Sequence, residues 1–174
     1  RYKSTQTSKT YHPKKIIMKY IVFLFLLTSL VSCKLSDDTN NTTVVEPIDY
    51  TETNEAEINS YLEDNSLESQ KTASGLHYII ENQGDGAAPT ATSNVIVAYK
   101  GYFLNGTVFD QSEEGITIGL DQVISGWTEG ILLFNEGGNG MLLIPAHLGY
   151  GSFDYNGIPG GSVLVFDIEL LSVN

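Results

Sequence analysis

The feature that most constrains the fold is a hairpin pattern in the middle of the chain. Residues 94–104, "NVIVAYKGYFL", place alternate side chains on the two faces that a β-strand requires. The Asn105–Gly106 pair that follows is a strong signal for a tight turn, and "TVFDQS" resumes the pairing strand. This segment therefore predicts an antiparallel sheet.

Further strand patterns surround the hairpin. They are "LHYIIE", a short "ITIGL", "GMLLIP" and the terminal "SVLVFDIELLSV", in which apolar and acidic side chains alternate. One late helix is predicted where Trp127, Ile131 and Phe134 recur at i, i+4 and i+7. A long glycine-rich loop, residues 146–161, precedes the last strand. The pattern predicts an α+β domain in which an antiparallel sheet half-wraps a short helix.

The first 33 residues predict an export signal that ends at a cysteine. Met18 and Lys19 precede an apolar run too short to span a bilayer, which needs ~20 apolar residues. "LVSC" then resembles the lipobox of bacterial lipoproteins, in which cleavage precedes the cysteine, here Cys33, and that cysteine is acylated. An ordinary cleavage site with a coincidental cysteine is the alternative. We interpret residues 1–32 as an upstream extension followed by a lipoprotein signal peptide; a basic transit-like extension is the alternative for residues 1–17.

The rest of the chain divides into a tether, a helix and one domain. Residues 33–53 comprise the lipidated cysteine and an acidic, apolar-poor flexible linker. Residues 54–71 are a short helical lead-in, because Ile58 and Leu62 fall at helical spacing. Residues 72–174 form the main domain. Neither linker nor domain shows an obvious dimer element, so we expect a monomer.

The charge distribution excludes one class of partner. After Cys33 the chain carries three lysines against all 21 of its acidic residues. Nucleic-acid binding needs lysine and arginine to neutralise phosphate, so no nucleic acid is expected as a partner.

The motifs of reactive sites are missing from the sequence. Its three histidines show no metal-ligand spacing, its one cysteine belongs to the lipobox, and it has no G-x-S-x-G nucleophile motif. The glycine-rich "NEGGNG" lacks the Lys-Ser/Thr of a phosphate loop and ends a helix. By elimination, an active site here would consist of aromatic, aliphatic and backbone groups, with no metal and no cofactor.

Four motifs occur in order and with near-standard spacing. "VIVAYKGYFLNGTVFDQS", "VISGWTEGI", "LIPAHLGYG" and "GIPGGSVLVFDIELL" together resemble the FKBP-type peptidyl-prolyl cis-trans isomerases, from about Thr72 to Asn174. The resemblance implies an FKBP-like half-barrel of five to six antiparallel strands wrapped over one short helix. It also implies that the lone tryptophan is both core and pocket floor.

The resemblance carries site residues onto matching positions of this chain. The implied catalytic residues are Tyr99, Phe109, Asp110, Ile124, Trp127, Tyr150 and Phe166. The implied substrate-binding residues are Val123, Ile116 and Ile158. For most of these, apolar core is the alternative interpretation; for the aspartate it is a turn-capping role. The resemblance implies that this aspartate faces the pocket and is held by hydrogen bonds.

The chain departs from the family pattern at two places. Ile116 stands where many members have an aromatic residue, and Glu114 stands where an apolar residue is common. The loop "GSFDYNG" is somewhat short and acidic. These departures bear on pocket width, on drug affinity and on the residues preferred beside the proline.

The resemblance implies an enzyme that accelerates X–Pro bond rotation in exported or envelope proteins. Its partners would be proline-containing polypeptides, the membrane through Cys33, and rapamycin-type macrolide inhibitors. Its location would be the envelope of a diderm bacterium, facing the periplasm or exposed at the surface. One alternative is a catalytically weak proline-peptide-binding or chaperone module of an envelope or motility complex. Another is a structural lipoprotein that uses the barrel as a scaffold.

Overall fold

The structure is a computed structural model that describes residues 45–174. The predicted signal peptide, Cys33 as the predicted site of lipidation, and the first part of the predicted linker lie outside the described residues. Within residues 45–174, no helix is both long enough and apolar enough to cross a membrane.

Six strands form one antiparallel sheet in the order β1-β2-β5-β6-β3-β4. The strands are β1 (Gln70–Lys71), β2 (His77–Asn82), β3 (Asn94–Phe103), β4 (Val108–Gly119), β5 (Asn139–Ile144) and β6 (Leu164–Val173). The predicted hairpin is the β3–β4 pair, and β6 lies between β5 and β3 with antiparallel partners on both sides. The expected α+β class and FKBP-like sheet are confirmed.

Both faces of the sheet carry a helix, because the end of β5 and the beginning of β6 are apolar on both sides. On the first face, helix α2 (Ser125–Ile131) packs Trp127 and Ile131 into the main core. The alternation predicted for the last strand holds there, since Leu164, Phe166, Ile168 and Leu170 all join this core.

On the second face, helix α1 (Thr51–Asp64) buries Ile58 and Leu62 against Leu143 and Val165. These two sheet residues alternate with the residues of β5 and β6 that face α2. Burial of one apolar side chain contributes about 1.5–3 kcal/mol, so the two apolar residues suffice to dock a helix of otherwise polar composition.

Three elements differ from the sequence expectations. The helix predicted within residues 54–71 spans Thr51–Asp64, and a turn and β1 follow it. The segments "TVFDQS" and "ITIGL" are one irregular strand, in which Gly115 adopts a φ of +83° within the shift of register between Ser112 and Ile116. Helix α2 ends at Ile131, so Phe134 joins the core from the turn that follows the helix.

Candidate functional site

A cavity of about 910 Å³ opens between the α2 face of the sheet and the loop that joins β5 to β6. The structure brings all the sequence-predicted pocket residues together around it: Tyr99, Phe109, Asp110, Ile116, Val123, Ile124, Trp127, Tyr150, Ile158 and Phe166. They come from β3, β4, α2, β6 and two loops. Residues far apart in the chain therefore converge on one site.

The floor of the cavity is a set of aromatic rings packed edge to face. Trp127 is only 5% exposed, and its ring centroid lies 5.0 Å from that of Tyr99 and 5.2 Å from that of Phe166. Phe109 extends the cluster, 5.5 Å from Phe166. Their interplanar angles are between 83° and 85°, the arrangement that the ring quadrupoles favour. These contacts hold the floor rigid.

Two glycines place the tryptophan at this depth. A Cβ atom on Gly126 would lie 2.5 Å from Cγ2 of Ile144, and one on Gly130 would lie 2.5 Å from Cδ1 of Leu142. Both positions are therefore limited to glycine at the observed spacing between helix and sheet. The close approach of α2 to β5 buries Trp127 against the strands instead of leaving it at the surface.

A hydrogen bond joins two of the predicted residues at the edge of the floor. The Tyr99 hydroxyl donates to Oδ2 of Asp110 at 2.7 Å. Burial, followed by this carboxylate, raises the pKa of Tyr99 well above its ordinary value. Asp110 itself is exposed and Phe109 is half-buried, so the carboxylate is paired without the cost of full burial.

Several polar groups at the cavity have no hydrogen-bond partner within residues 45–174. The buried indole N–H of Trp127 is one of them, and two further donors come from the residue before α2 and from the loop between β5 and β6. The backbone N–H of Ile124, the residue before α2, donates to no other described group. The Tyr150 hydroxyl likewise makes no hydrogen bond there, while its ring stacks on that of Tyr155 with centroids 4.8 Å apart. Burial, then the neighbouring Tyr155 and Asp110, raises the pKa of Tyr150, so this hydroxyl remains a donor at neutral pH. Both groups can donate to carbonyl oxygens of a bound chain.

Sequence reasoning missed several lining residues, of which Phe103, Ile118 and Tyr155 are the largest. Phe103 was predictable, because it lies four residues after Tyr99 in a strand whose alternation was recognised, and so it faces the same side of the sheet. Tyr155 lies in an irregular loop, where no periodicity reports on the direction of a side chain.

The described residues that line the cavity offer shape and hydrogen bonds but no thiol, imidazole or amine side chain. Among residues 45–174, no cluster of three or more histidine, cysteine or acidic side chains is arranged to hold a metal ion. The site suits a small apolar ring seated on Trp127, with flanking carbonyl groups held at the rim.

Comparisons with known proteins agree with this arrangement. A family model described as FKBP-type peptidyl-prolyl cis-trans isomerase matches residues 86–171. The isomerase FkpA of Buchnera aphidicola from Schizaphis graminum is 48% identical over 107 residues, which are 59% of this chain and 42% of the relative. FkpA of Escherichia coli K12 is 42% identical over 125 residues, 69% of this chain and 46% of the relative. The chain therefore spans less than half the length of these curated relatives.

Solved structures show the same similarity. The crystal structure of Escherichia coli FkpA is 40% identical with a TM-score of 0.64, over 71% of this chain and 61% of that one. A peptidyl-prolyl cis-trans isomerase from Pseudomonas syringae is 31% identical with a TM-score of 0.62, over 71% of this chain and 96% of that one. The structure of AtFKBP13 is 33% identical with a TM-score of 0.57, over 62% of this chain and 99% of that one.

Proposed function

The chain belongs to the FKBP-type peptidyl-prolyl cis-trans isomerases, and from this premise we propose that it accelerates X–Pro rotation in exported or envelope proteins. The observation that carries the proposal is the convergence on one cavity of the aromatic floor with the unpartnered N–H of Ile124 and hydroxyl of Tyr150. No bond is made or cut in this reaction, so the lack of a nucleophile or metal ligand at the site is compatible with it.

The reaction needs a pocket that favours a twisted amide over a planar one. Resonance gives the peptide bond a rotational barrier of ~18–20 kcal/mol, and uncatalysed X–Pro exchange takes tens to hundreds of seconds. The twisted amide has lost conjugation and is less polar at its carbonyl. An apolar, water-poor pocket therefore stabilises it relative to the planar form more than water does.

Each part of the site has a place in this mechanism. The prolyl ring packs on Trp127, and Phe109 and Phe166 exclude water around it. The N–H of Ile124 and the hydroxyl of Tyr150 hold the flanking carbonyls while the C–N bond turns. If these contacts lower the barrier by ~5–7 kcal/mol, the acceleration is about four to five decades.

The activity is tested by an NMR exchange or protease-coupled assay of X–Pro isomerisation. We expect clear acceleration by the wild type and weaker acceleration by Asp110→Ala and Tyr150→Phe. Tyr78→Phe is the matched control, because it also removes a tyrosine hydroxyl, one that donates to Gln70 outside the pocket. A folded protein without acceleration would refute the enzyme proposal.

A second candidate function is binding of proline-containing segments with little turnover. Exposed apolar residues near the cavity favour it, since Phe153 and Tyr155 are 52% and 51% exposed on the loop beside Tyr150. Binding of a proline peptide without acceleration in the same assay would support this candidate.

Location, anchoring and ligands are further parts of the proposal. We propose lipidation of Cys33, an envelope location, proline-containing clients, rapamycin-type inhibitors and a monomeric state. Relatives from the Gram-negative bacteria Escherichia coli and Neisseria meningitidis support an envelope protein of this type. Incorporation of labelled palmitate that is lost in Cys33→Ser would support the anchor, and inhibition of the X–Pro assay by rapamycin tests the drug site.

A further inference from the structure

One polar side chain of α1 is fully buried far from the cavity floor. Asn54 has no exposed surface. Its Oδ1 accepts from the backbone N–H of Ala146 at 2.9 Å, and its Nδ2 donates to the backbone carbonyl of Gly161 at 2.9 Å. Nδ2 also donates to the carboxylate of Glu57 at 2.9 Å. A single side chain therefore bridges both ends of the loop between β5 and β6.

Hydrogen bonds inside this loop complete a closed ring. The carbonyl of Ala146 accepts from the N–H of Gly151 at 2.8 Å, and the carbonyl of Gly151 accepts from the N–H of Gly161 at 2.9 Å. The side chain of Asn54 joins Ala146 to Gly161 and so closes the ring. The loop between Ala146 and Gly161 is thus fastened at its base and at its middle.

The fastened loop carries one wall of the cavity. Tyr150 lies directly before Gly151, and Ile158 lies three residues before Gly161. Tyr50 braces the same end, because its ring lies so close to Gly161 that an added Cβ atom would approach it to 2.5 Å. The end of α1 that holds Asn54 therefore contacts the loop and not the aromatic floor.

We propose that Asn54 is a positioning residue for the prolyl pocket, holding the 146–161 loop so that Tyr150 and Ile158 face the substrate. The proposal rests on the proposed function. Residue 54 also precedes the segment matched by the family model, which begins at residue 86. The role is argued from this chain's own contacts.

Loss of these hydrogen bonds predicts a specific kinetic pattern. In Asn54→Ala, two buried backbone groups lose their partners, and the loop samples conformations that cannot bind. Apparent affinity falls in proportion to the competent fraction, while saturating substrate restores the competent form. We therefore expect KM to rise roughly tenfold and kcat to stay within about twofold.

The experiment compares four variants of the full chain. Asn54→Ala removes both loop bonds, whereas Asn54→Asp keeps an acceptor for Ala146 and removes the donor to Gly161. Asn59→Ala is the surface control on α1, since Asn59 bonds only to Glu55. Leu62→Ala is the stability control, because Leu62 packs α1 on the sheet eight residues away from Asn54 and makes no hydrogen bond to Ala146 or Gly161 through its side chain.

The measurements are kcat, KM and amide hydrogen exchange over residues 145–163. We expect higher KM and faster loop exchange in Asn54→Ala. In Asn54→Asp the faster exchange should be strongest at the Gly161 end, because the new carboxylate oxygen faces the Gly161 carbonyl and the Glu57 carboxylate. Both controls should keep the wild-type KM. An Asn54→Ala protein with unchanged KM and unchanged loop exchange would overturn the proposal, and so would a Leu62→Ala protein with the same rise in KM as Asn54→Ala.

The exchange measurement separates this proposal from the proposed function. If the wild type shows no isomerisation, the enzyme proposal fails, and affinity for a proline peptide replaces KM as the binding measurement. Faster loop exchange with weaker peptide binding in Asn54→Ala would still support the positioning role. Unchanged exchange and unchanged binding would refute it.

Discussion

A single added methyl group at Gly101 tests whether the aromatic floor sets the activity. Gly101 lies in β3, paired with Asp110 on one side and with Phe166 on the other. A Cβ atom there would lie 2.7 Å from Cε1 of Phe166 and 2.8 Å from Cε2 and Cζ of Phe109. Ordinary contacts are about 1 Å longer, so at least one ring must move.

The two effects of Gly101→Ala have different magnitudes. Overpacking costs about 1–3 kcal/mol, and replacement of glycine within a strand returns about 0.5–1 kcal/mol through the unfolded state. The net loss of stability is therefore about 0–2.5 kcal/mol. A displacement of about 1 Å at a binding surface can cost about 100-fold in rate, so we expect kcat/KM to fall about 10- to 100-fold in a protein that remains folded.

The assay pairs X–Pro exchange kinetics with chemical denaturation. The double variant Gly101→Ala/Phe109→Leu serves as the control, because the smaller side chain makes room for the methyl group. Its loss of stability should be smaller than the sum of the two single losses. A Gly101→Ala protein with wild-type kcat/KM would refute the argument that these ring positions control turnover.

Three further predictions concern other parts of the molecule. A double-mutant cycle of Tyr99→Phe and Asp110→Ala should give a coupling energy of about 1 kcal/mol in denaturation experiments, and a value near zero would contradict a formed hydrogen bond in solution. Glu55 has a pKa lowered to about 2, chiefly by the hydrogen bond from Lys71. Since that is below the ordinary value, its contribution exists above pH 4.5 and is lost as the pH falls toward 2. Because the pair is partly exposed, Glu55→Gln should lose about 1 kcal/mol of stability at pH 7 and match the wild type near pH 2. Ile58→Ala should lose about 3 kcal/mol in urea denaturation, and a loss under about 1 kcal/mol would show that α1 is not docked.

The strands of the sheet were predictable where apolar side chains alternate. They were not predictable where an irregular backbone determines the course of the strand. The terminal strand followed its pattern because Leu164 and Phe166 face the same core. The continuity of β4 was missed because its outward positions are polar and Gly115 bends the strand through a positive φ. In a sequence, a glycine at such a bend predicts the end of a strand.

The aromatic half of the site was predictable and its supporting contacts were not. Trp127 and Phe166 lie in elements with regular spacing, and the family resemblance supplied their alignment. Asn54 had no comparable signal, because nothing in the sequence of a polar helix distinguishes a buried asparagine from an exposed one. Only the fold brings its amide to the backbone of Ala146, 92 residues away.

The floor of the cavity and its loop wall are held by different forces, so we expect substitutions in them to have different effects. The floor around Trp127 is part of the hydrophobic core, so a change there alters stability and activity together. The wall that carries Tyr150 is held by hydrogen bonds of a loop and by the distant Asn54. A change in that wall alters the population of the binding conformation while leaving most of the core contacts intact. Substrate preference can therefore diverge between related chains through loop and helix residues, while the aromatic floor keeps the fold and the basic chemistry unchanged.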